Sequence, residues 1–279
     1  MARPRSSTTS TSISRKPRIS PKRTPSPLFL RRFSVVAFTE RVARERGGLA
    51  GSVDAVLLAL FRAKLGAEVG RDGATGRPGY DGMIDLVWEL QTSGRSARDV
   101  SVATRRVLNS LFPPGLPAAF RALFSGPLPG LSCRMNAFVT ALSCQWLMGP
   151  SSVNDVELPD GRVLPGHGVR VERCKFLEEA GCAAVCMNTC KLPTETFFRE
   201  DMGLDLSMEP DYEDFSCQFN FGKRPNEAAT AELHATGCFE ACSKKRALFP
   251  DHAPGGDPRE QCPNVDPALA PAPAGEGAE

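Results

Sequence analysis

The chain has 279 residues, of which 41% are hydrophobic and 24% charged, a composition ordinary for a globular protein of one large or two small domains. The formal net charge of +2 is unevenly distributed, because residues 1–34 hold nine Arg or Lys and no acid, which leaves an excess of seven acids elsewhere. This acidic remainder argues against nucleic acid as a partner. No apolar run reaches the roughly 18 residues that a membrane-spanning helix needs.

The N-terminal segment, residues 1–37, has the composition of an organelle transit peptide. It is rich in Ser and Arg, and it lacks the apolar core of a secretory signal. We therefore expect it to be disordered and to direct the protein to the plastid stroma. The alternative is a basic tail that binds nucleic acid or anionic lipid. A reducing stroma would favour metal or redox roles for the 10 cysteines over disulfides.

The sequence pattern of residues 38–250 predicts a single compact cysteine-rich domain. This domain is expected to be mainly α with short β-hairpins, an α+β fold. Apolar periodicity predicts helices over residues 52–65, 80–91, 96–112, 116–130 and 132–148. The buried face of the first is expected to comprise Val53, Val56, Leu57, Leu60 and Phe61. A shared apolar face in the last comprises Met135, Phe138, Val139, Leu142 and Trp146. In the second helix Met83, Ile84, Val87 and Leu90 are expected to point inward.

Two pairs of short strands are expected in the second half of the chain. One pair, 153–158 and 168–172, flanks a Pro-Asp-Gly turn, and the other is 206–209 with 216–221. The final residues, 251–279, are rich in Pro, Gly and Ala, which predicts a disordered tail.

Four cysteines within seventeen residues, Cys174, Cys182, Cys186 and Cys190, are the most unusual feature of the chain. The segment predicts a helix that Pro193 ends. The last three cysteines are spaced by four residues, so the outer two would lie about 12 Å apart along an ideal helix. They could not share one metal ion at a bond length of about 2.3 Å. Either the helix breaks near Asn188 or other residues supply ligands.

Further cysteines downstream could complete a site. The predicted metal ligands all lie in the cysteine-rich part 174–242 and are Cys174, Cys182, Cys186, Cys190, Cys217, Cys238 and Cys242. Their spacing is not that of a zinc ribbon, and only three histidines exist, so thiolate-bound non-haem iron or iron–sulfur is favoured over zinc. Redox thiols without metal are the third possibility. No serine-hydrolase, Walker or dinucleotide-binding motif is present.

Several segments together resemble the plastid β-carotene isomerases of the strigolactone pathway and their paralogues. They are CKFLEEAGCAAVCMNTCKLPTETFF at 174–198, MEPDYEDFSCQFNFG at 208–222, GYDGMIDL at 79–86 and WLMGP at 146–150. The resemblance covers about residues 50–262. It implies an iron-containing enzyme that interconverts all-trans- and 9-cis-β-carotene, with a carotenoid substrate and peripheral contact with plastid membranes. Cys174, Cys182, Cys186, Cys190 and Cys217 match the motif, and Cys238 and Cys242 match it more loosely.

A chemical hypothesis follows from the implied substrate. β-Carotene is a hydrocarbon without a carbonyl group, so nucleophilic catalysis suits it poorly. A redox metal that exchanges one electron with the polyene would lower the order of a double bond during rotation. The alternatives to an enzyme are a zinc- or cluster-stabilised plastid binding protein and a thiol redox sensor.

Overall fold

The structure of the protein is a computed structural model that describes residues 49–70 and 76–234. The expected transit peptide at 1–37, the expected tail at 251–279, and Cys238 and Cys242 lie outside these residues. Among the described helices, none is long and apolar enough to cross a membrane.

Helices make up the first half of the described chain. In order they are α1 Leu49–Val69, α2 Gly79–Gln91, α3 Ala97–Ser110, α4 Leu116–Phe120, α5 Pro129–Ser143 and α6 Gln145–Met148. A π-helical turn, Arg121–Ser125, extends α4. The start of α3 follows from its sequence, because Ser96 Oγ accepts a hydrogen bond from Asp99 N at 3.1 Å and caps the helix. The first three predicted helices are confirmed to within a few residues. The helix predicted over 116–130 ends at Ser125, and the one predicted over 132–148 begins at Pro129 and is divided at Cys144 into α5 and α6.

The second half mixes short strands and helices. In order they are β1 Ser151–Glu157, β2 Val163–Val171, α7 Lys175–Ala180, α8 Ala183–Cys186, α9 Leu192–Thr196, β3 Leu206–Pro210, β4 Cys217–Phe221 and α10 Glu227–His234. Two further π-helical turns, Met187–Lys191 and Phe197–Met202, precede and follow α9. The predicted α+β class is confirmed.

The strands form one antiparallel sheet of four strands in the order β1-β2-β4-β3. Both predicted strand pairs are present, and the pairing of β2 with β4 joins them into one sheet. At one end of β4, Cys217 lies between Val171 of β2 and Pro210 of β3. The sheet therefore fixes Cys217 on a central strand, next to the segment in which the other cysteines lie.

The core forms where α2 and α3 pack with the cysteine-bearing helices and the sheet. The inward face predicted for α2 is confirmed, since Met83, Ile84, Val87 and Leu90 are all buried. Burial of four such side chains stabilises the fold by about 1.5–3 kcal/mol each. This packing holds α2 against the part of the molecule that carries the cysteines.

The buried face predicted for α1 is wrong in part. Val53, Val56 and Leu60 are exposed, at 50%, 66% and 39%, while Phe61 and Leu65 are buried. Apolar residues occur around the whole circumference of α1, so their spacing alone does not select the side that meets α2. The contacts with α2 and α3 determine which side of α1 is buried.

Pro193 does not end the cysteine-bearing helix, contrary to expectation. Helical backbone runs without a break from Ala183 to Met202 through two π-helical turns. The N–H of Leu192 donates to the carbonyl of Met187, five residues earlier. Because this wider turn comes directly before Pro193, the proline occupies the first turn of α9, where a missing N–H is tolerated.

Candidate functional site

Cys174 begins the site, immediately before α7. Its backbone N–H donates to the carbonyl of Phe215 at 2.7 Å, which ties this residue to the loop before β4. Burial raises the pKa of the Cys174 thiol, and the nearby N–H groups of Leu177 and Phe176 oppose that rise. The amide groups at the start of α7 therefore lie close to this sulfur.

The three cysteines spaced by four residues do not share one regular helix. Cys182 is extended, with φ −149, and precedes α8, whereas Cys186 ends α8 and Cys190 lies in the π-helical turn that follows. Of the two alternatives, the break near Asn188 does not occur, because the chain widens into a π-helical turn there instead. Such turns are frequent at functional sites. Cys186 and Cys190 thus reach the interior from one continuous helical segment.

Four of the predicted cysteines come together, and we call Cys174, Cys186, Cys190 and Cys217 the cysteine cluster. The pKa of Cys190 is raised well above its usual value by burial and then by Cys186, Cys174 and Cys217. The pKa of Cys217 is raised in the same way by burial, Cys186 and Cys174. All four carry reduced thiols. Three separate segments of the chain therefore deliver sulfur to one buried place.

Tyr212 adds a hydroxyl group to the cysteine cluster. Burial raises the pKa of Cys186 to about 12, with a further rise from Cys174, and the nearby hydroxyl of Tyr212 lowers it. The pKa of Tyr212 is itself raised, first by burial and then by Cys186, with smaller effects of Cys217 and Cys182. Cys182 thus lies near the edge of the cluster. At neutral pH these groups are protonated and uncharged.

Tyr80 was not predicted as a site residue, although it belongs to the GYDGMIDL segment. Its hydroxyl donates to the carbonyl of Leu147 at 2.6 Å, and Lys175 Nζ lies 4.0 Å from its ring centroid. Burial raises its pKa, as do Cys174 and Glu179. Tyr80 therefore connects α2, α6 and the cysteine cluster. The resemblance of its segment to the isomerases was the available signal.

A buried ion pair lies beside the cluster and was also missed. Lys191 Nζ is 2.5 Å from Glu195 Oε1 and 2.8 Å from the carbonyl oxygen of Met208. Glu195 Oε1 in turn accepts a hydrogen bond from Met208 N at 2.7 Å. The spacing of four residues predicts such a pair on a helix, but it gives no indication that both side chains are buried.

Cys133 and Cys144 occupy different surroundings. Cys133 Sγ lies beside Gly222, close to His167, and burial followed by Asp205 raises its pKa to about 11. Cys144 keeps partial exposure and contributes to the raised pKa of Cys190. Cys133 is thus a buried thiol apart from the cysteine cluster, whereas Cys144 lies near the cluster.

The cysteines of the described residues do not by themselves fit a metal site. Within residues 49–70 and 76–234, no group of three His, Cys, Asp or Glu side chains is arranged to hold a metal ion. The cluster brings sulfur atoms close enough to alter one another's pKa, without the convergence that coordination requires. Cys238 and Cys242 lie outside the described residues, and their role as ligands stays a prediction.

Comparisons with known proteins concern this same region. Residues 146–230 match the family described as "Beta-carotene isomerase D27-like, C-terminal". This part of the chain is similar to the C-terminal region of D27-like proteins. All five motif cysteines, from Cys174 to Cys217, lie within the matched residues, and the resemblance seen in the sequence is confirmed.

Two curated relatives extend the match beyond the D27-like domain. The chain is 32% identical over 177 residues to the chloroplastic beta-carotene isomerase D27 of Arabidopsis thaliana, covering 62% of this chain and 64% of the relative. It is 25% identical over 170 residues to the protein of the same name in Medicago truncatula, covering 61% and 66%. The chain thus spans a little under two thirds of the length of each. No solved structure matches it significantly.

Proposed function

We propose that the protein is a carotenoid isomerase that interconverts all-trans- and 9-cis-β-carotene. The observation that carries this proposal is the position of the cysteine cluster within the D27-like domain at 146–230. The two relatives are both named beta-carotene isomerases, which supports the reaction class. Substrate and product are isomers, so the reaction consumes no electrons or atoms and needs no second substrate.

The cysteine cluster supplies buried, protonated thiols for this reaction, and its nearest charges, Lys191 and Glu195, are paired with each other. Burial comes first among the causes that raise the pKa of Cys186, Cys190 and Cys217. A hydrocarbon is poorly stabilised by charged groups, and protonated thiols are weakly polar and polarizable. The thiols of the cluster are therefore compatible with an apolar polyene. The same burial disfavours a redox sensor, since reactive thiols are partly exposed and have a lowered pKa.

An iron cofactor remains part of the proposal. The described cysteines alone do not form a site for one ion, so iron would require ligands from outside the described residues. Cys238 and Cys242 are the available candidates, together with Cys186, Cys190 and Cys217 of the cysteine cluster. Zinc bound by the same thiols is the alternative, and metal analysis of protein purified without oxygen distinguishes the two.

We also propose that the protein acts in the plastid stroma and feeds strigolactone or other apocarotenoid biosynthesis. Both relatives are named chloroplastic, which supports the compartment. The composition of residues 1–37 is consistent with import. A fusion of the full chain to a fluorescent protein should localise to plastids, and removal of residues 1–37 should leave the fusion in the cytosol.

The test of the activity starts from both isomers. The full chain is incubated without oxygen with all-trans- or with 9-cis-β-carotene in detergent micelles, and the isomers are separated by chromatography. An isomerase brings both samples toward one common ratio faster than a heat-denatured sample does. Unchanged isomers in protein of verified fold and metal content would contradict the proposal.

A further inference from the structure

Large apolar side chains remain exposed on one part of the surface. They lie on α4, on its π-helical extension, at the residue before α5 and on α5 itself, and we call them the apolar ridge: Leu116, Leu123, Phe124, Leu128, Leu131 and Val139. Their exposed fractions run from 37% for Phe124 to 65% for Leu123. Single exposed apolar residues are common on proteins, but six within 24 residues mark an interaction surface.

The ridge exists because α5 packs on the sheet through its small residues. Cys133, Ala137 and Ala141 are buried against β2, while Val139 is 50% exposed. Of the larger apolar residues of α5, Leu131 and Val139 are exposed, whereas Met135, Phe138 and Leu142 are half-buried. Exposed apolar residues on a helix that is anchored through its small residues are typical of a surface that a partner or a membrane covers.

The ridge is held firmly to the body of the protein. Ser125 Oγ donates to the carbonyl of Met202 at 2.6 Å, and Arg121 donates to the carbonyl of Glu200 at 3.0 Å. Phe120 and Phe124 stack, with ring centroids 5.3 Å apart. These contacts preorganise the exposed side chains, so their exposure is a fixed property of the fold.

Charge around the ridge favours an anionic surface. Residues 100–154 contain no Asp or Glu, although an even distribution of the 32 acids would place about six there. The same stretch holds four arginines, of which Arg105 and Arg106 form ion pairs with acids from other segments, while Arg121 and Arg134 lie on the segments that carry the ridge. Arg121 approaches Gly203, and the acids nearest to that position are paired with other arginines. These pairs are Glu200 and Asp201 with Arg105, and Asp205 with Arg224.

We propose that the apolar ridge docks the protein onto an anionic lipid bilayer. The proposal rests on the proposed function, since a hydrocarbon substrate partitions into bilayers and reaches the enzyme from there. Apolar side chains enter the interface and arginines approach the lipid phosphates, as in other peripheral proteins. The ridge is also linked to the cysteine cluster, because α5 runs about 20 Å from Leu131 to Cys144, which lies near Cys190.

The experiment is vesicle flotation of the full chain. Vesicles contain phosphatidylcholine alone or with phosphatidylglycerol, and no carotenoid. We expect the protein to float with anionic vesicles and the double variant Leu123→Asp/Leu128→Asp to bind about tenfold less. The matched control is Val163→Asp, because Val163 is 51% exposed but lies on β2, and it should bind within about twofold of the wild type. Arg134→Gln should weaken the preference for phosphatidylglycerol.

Three results would overturn the proposal. Equal binding of the ridge variant and the wild type would assign membrane contact elsewhere, for example to the basic residues 1–37. A concentration-dependent dimer that the ridge substitutions dissociate, without vesicle binding, would assign the ridge to a second copy. If the protein is a monomer and does not float with vesicles, the ridge would instead contact another segment of the same chain.

Activity measurements separate this proposal from the proposed function. The ridge variant should isomerise carotene in micelles at the wild-type rate. When the substrate is embedded in vesicles, its isomerisation rate should be about tenfold lower than that of the wild type. Absence of activity in both assays with normal flotation would contradict the function and leave the docking surface standing. Equal activity of both proteins on vesicles would contradict the docking surface alone.

Discussion

Lys191 and Glu195 form an ion pair inside the protein, with side chains only 2% and 5% exposed. Both groups also bind the backbone of Met208, so the pair joins the cysteine-bearing helical segment to β3. Desolvation raises the pKa of Glu195, and Lys191 opposes that rise. The pair therefore fixes the position of Cys190 relative to β3 and, through the sheet, to Cys217.

Removing one partner of this ion pair should lower the free energy of unfolding. Lys191→Met leaves a buried carboxylate without its partner, and we expect a loss of about 3–5 kcal/mol in the free energy of unfolding. Lys191→Met/Glu195→Gln should lose less, because the glutamine still accepts from Met208 N and carries no charge. Urea denaturation of the two single variants and the double variant measures the coupling. Additive effects of the single substitutions would contradict a direct interaction.

The helical segment around this pair shows what could be predicted from the sequence and what could not. Helices, both strand pairs and the inward face of α2 follow from local periodicity. The passage of the helix through Pro193 does not, because it depends on a π-helical turn that tertiary contacts stabilise. The exposed Val53 and Val56 of α1 illustrate the same limit, since only packing selects one apolar face among several.

The candidate site was predicted unevenly for a similar reason. Motif spacing singled out the cysteines, and the structure brings Cys174, Cys186, Cys190 and Cys217 together from separate segments. Spacing could not reveal Tyr212 or the burial of Lys191, because these contacts cross between elements. Tyr212 and Lys191 come close to their partners only when β3 pairs with β4.

A second ion pair should make stability depend on pH. Arg105 binds both oxygens of Asp201, at 2.8 and 3.0 Å, and joins α3 to the π-helical turn after α9. Its hydrogen bond lowers the pKa of Asp201 in the folded protein. The stabilisation is therefore present above the unfolded pKa of about 3.9 and is lost as the pH falls through the folded pKa.

Asp201→Asn should lower the free energy of unfolding by about 1–2 kcal/mol at pH 7. The difference in the free energy of unfolding between this variant and the wild type should shrink as the pH falls below about 4. Denaturation at several pH values measures this dependence. The control is Asp160→Asn, because Asp160 and its partner Arg162 are both exposed, and this variant should match the wild type. A difference for Asp201→Asn that grows toward low pH would be inconsistent with the ion pair.

The buried thiols should resist alkylation in the folded protein. With a pKa of about 12, only about one Cys186 thiol in ten thousand is ionised at pH 8. Cys133, whose pKa is about 11, should also be protected. Iodoacetamide labelling followed by peptide mass spectrometry compares native and guanidinium-unfolded protein. Labelling of Cys186 at the same rate in both samples would refute its burial.

The most direct test of the cysteine cluster as the site of carotenoid isomerisation is the initial rate of β-carotene isomerisation by matched cysteine variants. Cys186→Ala and Cys217→Ala alter the cluster, whereas Cys133→Ala removes an equally buried thiol outside it. With folding verified by circular dichroism, we predict that the two cluster variants lose at least about tenfold in rate and that Cys133→Ala stays within about twofold of the wild type. Rates within twofold for all three folded variants would contradict the account.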